Sequence, residues 1–224
     1  MRKEYTLDME TTRVFYYTDA SIFHDAKTFG GVKMIYDERN NPYIIGRFCY
    51  RAMISSCGTD DLELLAIIVS LYDIMNNKYF KASIVTDSTN AYSAIKKVSL
   101  GKRNLCLLPD FYYEPKKLNH KLAIYAANIH VNYLSHIDIN WDCLDSHIDS
   151  GTQWRRMLSN NINYSFADVM NLNQGNLIAD DIVSSCSKDK ELYNKLPFID
   201  PLRLIGNKQN MVPQYNHQEL TLLA

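Results

Sequence analysis

Between Leu62 and Met75 the chain sets Leu64, Leu65, Ile68, Leu71, Tyr72 and Met75 at helical spacing. A helix so apolar must bury its face against another layer. Thr59-Asp60-Asp61, just ahead of it, supplies N-cap chemistry. Short β-branched and aromatic runs flank this helix in the sequence. Residues 13–18 run into Asp19-Ala20-Ser21, which predicts a strand ending on a carboxylate, and Lys81 to Thr86 predicts a short buried strand ending on Asp87. Strand, helix and strand in that order require a crossover, and so a parallel pairing.

The remaining elements fill out a layered domain. A loop ending in Gly30-Gly31 leads to a strand at Val32–Tyr36, and the turn Asn40-Asn41-Pro42 leads to another at Tyr43–Tyr50, which suggests an antiparallel meander. Helices are predicted at Thr89–Lys97 and Lys116–Asn128, followed by a strand at Ile129–Leu134. Residues 137–173 are polar and weakly patterned, and read as an insertion with a short helix near Trp154–Leu158. A clearer helix starts at Asn176. The expected architecture is α/β: a five-stranded mixed sheet, three strands antiparallel and two parallel to the first, flanked by helices on both faces. One domain would span 10–190, and 191–224 would form a C-terminal arm, partly disordered.

Composition narrows the function. At 224 residues, with 46% hydrophobic and 22% charged residues, the chain can bury a real core. A net charge of −1 argues against coating nucleic acid by bulk electrostatics. Locally, Lys96 to Lys121 holds seven basic residues against two acidic ones, which suits a grip on one stretch of backbone but equally a solvated helix face. Cys49, Cys57, Cys106, Cys143 and Cys186 contain no CxxC pair, and read as reduced thiols in a cytoplasmic protein. The histidines at 24, 120, 130, 147 and 217 share no metal-ligand spacing, and Trp141 and Trp154 read as packing residues. Neither a signal segment nor a membrane span is expected.

Asp19 and Asp87 at two strand ends, with Glu63 in the first turn of the helix between them, can converge on one point. Glu63 has Leu62, Leu64, Leu65 and Ala66 as neighbours, so its carboxylate lies near buried surface, where an unpaired charge is costly. Taken alone, it is equally explained by the helix macrodipole. Several carboxylates meeting in space could hold two divalent cations, the requirement of two-metal phosphodiester hydrolysis.

Three segments in this order, Tyr17-Thr18-Asp19-Ala20-Ser21 with Gly30-Gly31, Thr59-Asp60-Asp61-Leu62-Glu63-Leu64-Leu65-Ala66, and Val85-Thr86-Asp87-Ser88, resemble the opening motifs of type-1 ribonuclease H. The resemblance covers roughly residues 13–136. Gly175-Asn176-Leu177-Ile178-Ala179-Asp180 is similar to the family's last-helix pattern. The resemblance implies a metal site of Asp19, Glu63, Asp87 and Asp180 for two Mg2+ or Mn2+ ions, with His136 as the family's mobile histidine. Asp145 and Asp149 are rivals for the fourth position, because Asp180 lies unusually far from His136. Ser21, Thr59, Ser88 and Asn176, with Lys96, Lys97, Lys116 and Lys117, would contact nucleic acid. Phe111-Tyr112-Tyr113 could stack on sugars or cover a local core.

The implied activity is cleavage of the RNA strand of an RNA–DNA hybrid by a monomer. Asp60 and Asp61 stand where the family often has amides, and would repel phosphates. That pair and the long insertion at 137–173 motivate a second possibility, a catalytically weak binding module of the same fold. A DNA-cutting recombinase of the wider superfamily is a third.

Overall fold

The computed structural model describes residues 11–52, 57–100, 117–144 and 166–206, with side chains described outside 97–100 and 166–169. Three long strands open the chain: β1 (Val14–Phe23), β2 (Ala26–Tyr36) and β3 (Pro42–Ala52). They form the expected meander, but its geometry differs from the sequence expectation. β1 runs straight through Asp19 and turns only at His24, whose φ is 52°. Gly30-Gly31 is therefore not the end of a loop but the middle of β2, opposite Asp19 and Thr18. The glycines belong there because the neighbouring backbones leave no room. A Cβ at Gly31 would lie 1.8 Å from the Tyr17 carbonyl oxygen, and one at Gly30 2.1 Å from that of Phe48.

Helix α1 (Thr59–Asn77) follows, then β4 (Lys81–Thr86), α2 (Thr89–Leu100) and α3 (Leu118–Tyr133). β4 pairs with β1 in parallel, as the crossover argument requires. Every residue of α1 from Asp61 to Ile74 is buried, as expected for a helix held between the sheet and α3. Of its buried acidic groups, Asp73 is compensated by the Lys33 ammonium at 3.0 Å, the Tyr16 hydroxyl at 2.5 Å and the Asn77 amide at 2.8 Å.

The predicted strand at Ile129–Leu134 is the last turn and a half of α3 and its cap. Leu122, Ala126 and Ile129 continue one buried helical stripe, and that packing outweighs the β propensity of Ile129 and Val131. The fifth strand is β5 (Asp138–Cys143), inside the segment read as an insertion, and it pairs in parallel with β4. Asp145, Asp149 and the short helix near Trp154 lie outside the described residues, as do Lys116 and Phe111-Tyr112-Tyr113.

Helix α4 (Phe166–Lys188) covers the other face of the sheet, packing on β1 and β2. Beyond it, α5 (Lys190–Lys195), β6 (Phe198–Ile199) and α6 (Pro201–Gly206) return to the domain, so residues 191–206 are not a free arm. β6 adds a short sixth strand parallel to the end of β3, and Ile199 and Leu204 enter the core. The sheet order is β5-β4-β1-β2-β3-β6. One apolar layer lies between the sheet and α1 and α3, the other between the sheet and α4.

Candidate active site

The site forms where the middle of β1 passes the end of β4, between two helices. Asp19 sits on β1 one residue beyond Thr18, which pairs with Thr86, and Asp87 follows Thr86 at the end of β4. The two carboxylates are thus level, on neighbouring strands. α1 brings Glu63 up from one face. Oxygens of Asp19, Glu63 and Asp87 lie within 4.8 Å of one another. From the other face, α4 adds Asn173, Asn176, Leu177 and Asp180, closing a cleft of about 310 Å³ that Thr59 and Ser88 also line.

This arrangement is electrostatically costly. Asp19 is 7% exposed and Glu63 3%. Burial, reinforced by Asp87 and then Asp180 and opposed by the Ala20 N–H, pushes Asp19 up to about 7. Burial, then the charges of Asp19 and Asp87, holds Glu63 well above the ordinary carboxylate range. Glu63 Oε2 is buried with no hydrogen-bond partner. Like charges packed so closely are stable together only when protonated or bridged by cations. An all-oxygen donor set of this kind suits Mg2+ or Mn2+. Asp180 is exposed on the rim of the cleft, available to a cation from the side opposite Glu63.

The other expected site residues divide. Thr59, Ser88 and Asn176 face the cleft, although the Ser88 hydroxyl also accepts the Ala91 N–H at the start of α2. Ser21 bonds the Ser187 hydroxyl at 3.0 Å and ties β1 to α4. Lys96 and Lys117 are exposed, and Lys96 lies over the Tyr92 ring; the Lys97 side chain and Lys116 are outside the described residues. His136 is not brought to the site. It lies in the turn before β5, next to the Asp138↔Lys81 end of the β4–β5 pair, while Asp87 lies beyond the Thr86↔Cys143 end. At roughly 3.3 Å per residue that separation is about 20 Å along the sheet.

Asp60 and Asp61 are both engaged locally. Asp61 accepts the Gly58 N–H at 2.8 Å and so caps α1, and Asp60 accepts from the Asn90 amide at 3.2 Å. Three residues of the cleft, Ala20, Asn173 and Leu177, were not expected as site residues from the sequence. Helical spacing gives the signal for Asn173, which precedes Asn176 by three residues, as Asn176 precedes Asp180 by four.

Among solved structures, the PFV RNase H domain superposes with a TM-score of 0.52 at 13% identity, over 79% of this chain and 94% of that domain. The foamy viral protease-reverse transcriptase in complex with RNA/DNA hybrid gives 0.49 at 12% identity, over 83% of this chain and 21% of that one. RNase H1 from the halophilic archaeon Halobacterium salinarum gives 0.39 at 14% identity, over 64% and 90%. No protein-family model and no curated sequence matches the chain. The match to the PFV domain identifies the fold as ribonuclease H-like. Among the described residues, no helix is long and apolar enough to cross a membrane.

Proposed function

We propose that this protein is a metal-dependent endonuclease that hydrolyses the RNA strand of RNA–DNA hybrids, leaving 5′-phosphate and 3′-hydroxyl ends. The observation that carries this is the convergence of Asp19, Glu63 and Asp87 within 4.8 Å, from β1, α1 and the end of β4. Asp180 stands at the rim of the same cleft. Carboxylates gathered this closely at such a cost in desolvation make sense as ligands, and the unpartnered Glu63 Oε2 supports a cation there. Two Mg2+ or Mn2+ ions, when bound, would supply a water of lowered pKa and stabilise the departing 3′-oxygen.

The chain's own residues set the stage for that chemistry. Asp19, Glu63 and Asp87 are fixed by β1, α1 and β4, which limits the reorganisation needed on binding. Asn176 orients Asp87. Thr59 and Ser88 offer hydroxyls along one wall of the cleft, positions from which 2′-hydroxyls or phosphates of the RNA strand could be contacted. Lys96 and Lys117 are exposed cations for the backbone. The engagement of Asp61 in the helix cap and of Asp60 with Asn90 supplies a structural reason for the acidic pair. The protein is taken to act as a cytoplasmic monomer.

The test is incubation of the purified protein with labelled RNA–DNA hybrid, double-stranded RNA and duplex DNA, each with magnesium, manganese or chelator. Metal-dependent loss of the hybrid alone, with 5′-phosphate ends, is the expected result. Binding of the hybrid without cutting would instead make the chain a recognition module, and cutting of duplex DNA a recombinase-like enzyme.

A further inference from the structure

On the flank of α4 away from the carboxylates, the protein holds a second cavity, of about 220 Å³, between the start of β1, the end of β2 and the turn that follows it. β2 and β4 lie on opposite sides of β1, so this cavity and the cleft open on different sides of the helix. Its walls are aromatic: Phe15, Tyr17 and Tyr36 line it, with Leu172 of α4. The Phe15 and Tyr36 rings are perpendicular at 5.0 Å, and Phe15 is nearly parallel to Tyr17. A chain of hydrogen bonds fixes these walls. The Tyr17 and Tyr36 hydroxyls are 2.6 Å apart, the Tyr36 hydroxyl donates to the Asn171 carbonyl at 3.3 Å, and the Asn171 amide donates to the Asn40 carbonyl at 3.3 Å. A site so tied together is formed before a ligand arrives.

The lining selects the ligand. Three rings favour a flat molecule that can stack or pack edge-on. The volume is below the roughly 300–1,000 Å³ of a site for a drug-sized ligand, which leaves room for one ring system and not for a base pair. The available polar groups are amides. The Asn171 side-chain oxygen and the Asn40 side chain have no hydrogen-bond partner among the described residues, and a carboxamide can read the donor and acceptor edge of a heterocycle. Asp37 also lines the cavity, but its carboxylate is committed to the turn, accepting from the backbone N–H groups of Arg39 and Asn41, the Asn41 amide and the Tyr43 hydroxyl. Four accepted bonds leave it no lone pair for an ammonium group. Its charge, with no Lys or Arg in the lining, keeps a phosphate outside.

We propose that this cavity is a binding site for a single uncharged nucleobase, presented by a free nucleoside or by an unpaired position in a strand. The ring packs among Phe15, Tyr17 and Tyr36, its edge meets the amides of Asn171 and Asn40, and sugar and phosphate remain at the mouth. The inference stands apart from the nuclease proposal, because no carboxylate of the cleft takes part in it.

Full-length protein, in chelator without added metal, is titrated against 2-aminopurine riboside and against a single-stranded tetranucleotide carrying one 2-aminopurine. Stacking quenches this base, so saturable quenching is the expected result. Saturation with the riboside alone assigns the site to free nucleosides, with the tetranucleotide alone to strands, and with both to either source. Phe15→Leu keeps the wall apolar but removes a ring, and should weaken binding about tenfold. 5-Iodouridine and a tetranucleotide carrying 5-iodouracil are then irradiated with the protein, and crosslinked peptides are mapped by mass spectrometry. Attachment at Phe15, Tyr17 or Tyr36 places the base in the cavity. Quenching that stays linear with both probes, an unchanged affinity in Phe15→Leu, or crosslinks confined to other segments overturns the proposal. Should Phe15→Leu not fold, the crosslink map of the unaltered protein decides alone. Base binding here without any cleavage of hybrid would defeat the nuclease reading and leave this one standing.

Discussion

The Asn176 amide nitrogen on α4 stands 3.5 Å from Oδ2 of Asp87 at the end of β4, so the last helix of the cluster touches its third carboxylate directly. The other end of that amide, Oδ1, is buried with no hydrogen-bond partner. Groups that orient a ligand rather than bind the cation typically contribute tenfold or more to affinity or rate. Asn176→Ala should therefore lower hybrid cleavage by about 10-fold and shift the magnesium midpoint upward. A magnesium titration of the initial rate checks both, and an unchanged midpoint would remove Asn176 from the ligand-orienting shell.

Asp19→Asn and Glu63→Gln replace a carboxylate by an amide of nearly the same shape, so each should abolish cleavage while preserving the circular dichroism spectrum and a cooperative melt. Full activity in either variant would mean that the cations sit elsewhere. For the fourth position, Asp180→Asn is expected to be inactive and Asp145→Asn and Asp149→Asn active. The opposite pattern transfers that role to the segment after β5.

The raised carboxylates predict how the metal-free protein responds to pH. Asp19 moves from 3.8 to about 7 in the folded protein because burial disfavours its charged form, and Glu63 moves the same way. Below the unfolded value both states are protonated and the contribution of these groups to stability is fully present. It is lost as pH rises through the folded value. Between about pH 4 and 7 the metal-free protein should lose on the order of a few kcal/mol from this source. Asp19→Asn should melt higher than the unaltered chain at pH 8 in chelator. Added Mg2+ should raise the melting temperature more at pH 8 than at pH 6. Differential scanning calorimetry at the two pH values reads both, and a pH-independent magnesium effect would contradict the burial argument.

His136 provides a negative control. It sits at the Lys81 end of β4 and the carboxylates at the Thr86 end, so His136→Ala should cleave hybrid at the unaltered rate. A large loss of product release in that variant would require the turn before β5 to reach the cleft.

The sequence disclosed the parts of this molecule in which local pattern and chemistry agree. α1 shows its length through apolar spacing, β4 is a short buried run, and Asp19, Glu63 and Asp87 each stand at a change of pattern. The sequence misled where tertiary packing decides between similar local signals. Ile129 to Leu134 alternates like a strand, yet Leu122, Ala126 and Ile129 form one buried stripe of α3. β5 contains two aspartates and an asparagine in six residues. Such a composition reads as loop until β4 is known to need a partner on that edge. β6 is two residues long and exists through its pairing with Arg51 and Ala52, which no local pattern encodes. The position of His136 followed from that misplaced strand. Asn173, by contrast, was legible in principle, because it shares the helical face of Asn176 and Asp180.

Gly175, immediately before Asn176, tests whether the cleft depends on how closely α4 approaches the sheet. A Cβ there would lie 2.4 Å from the Tyr17 ring. That ring is fully buried, and its hydroxyl lies 2.6 Å from that of Tyr36, so it cannot swing aside without giving up a hydrogen bond. Gly175→Ala must then lift α4 from β1 or strain Tyr17, at a cost of about 1–3 kcal/mol. The same displacement carries Asn176 and Asp180 away from Asp19 and Asp87, so cleavage should fall along with the melting temperature. If the ring contact is the cause, Tyr17→Leu combined with Gly175→Ala should be more stable than the sum of the two single costs implies, since the smaller side chain opens the space the methyl needs. A double variant whose cost equals that sum would show that the glycine serves something other than close packing of helix on strand.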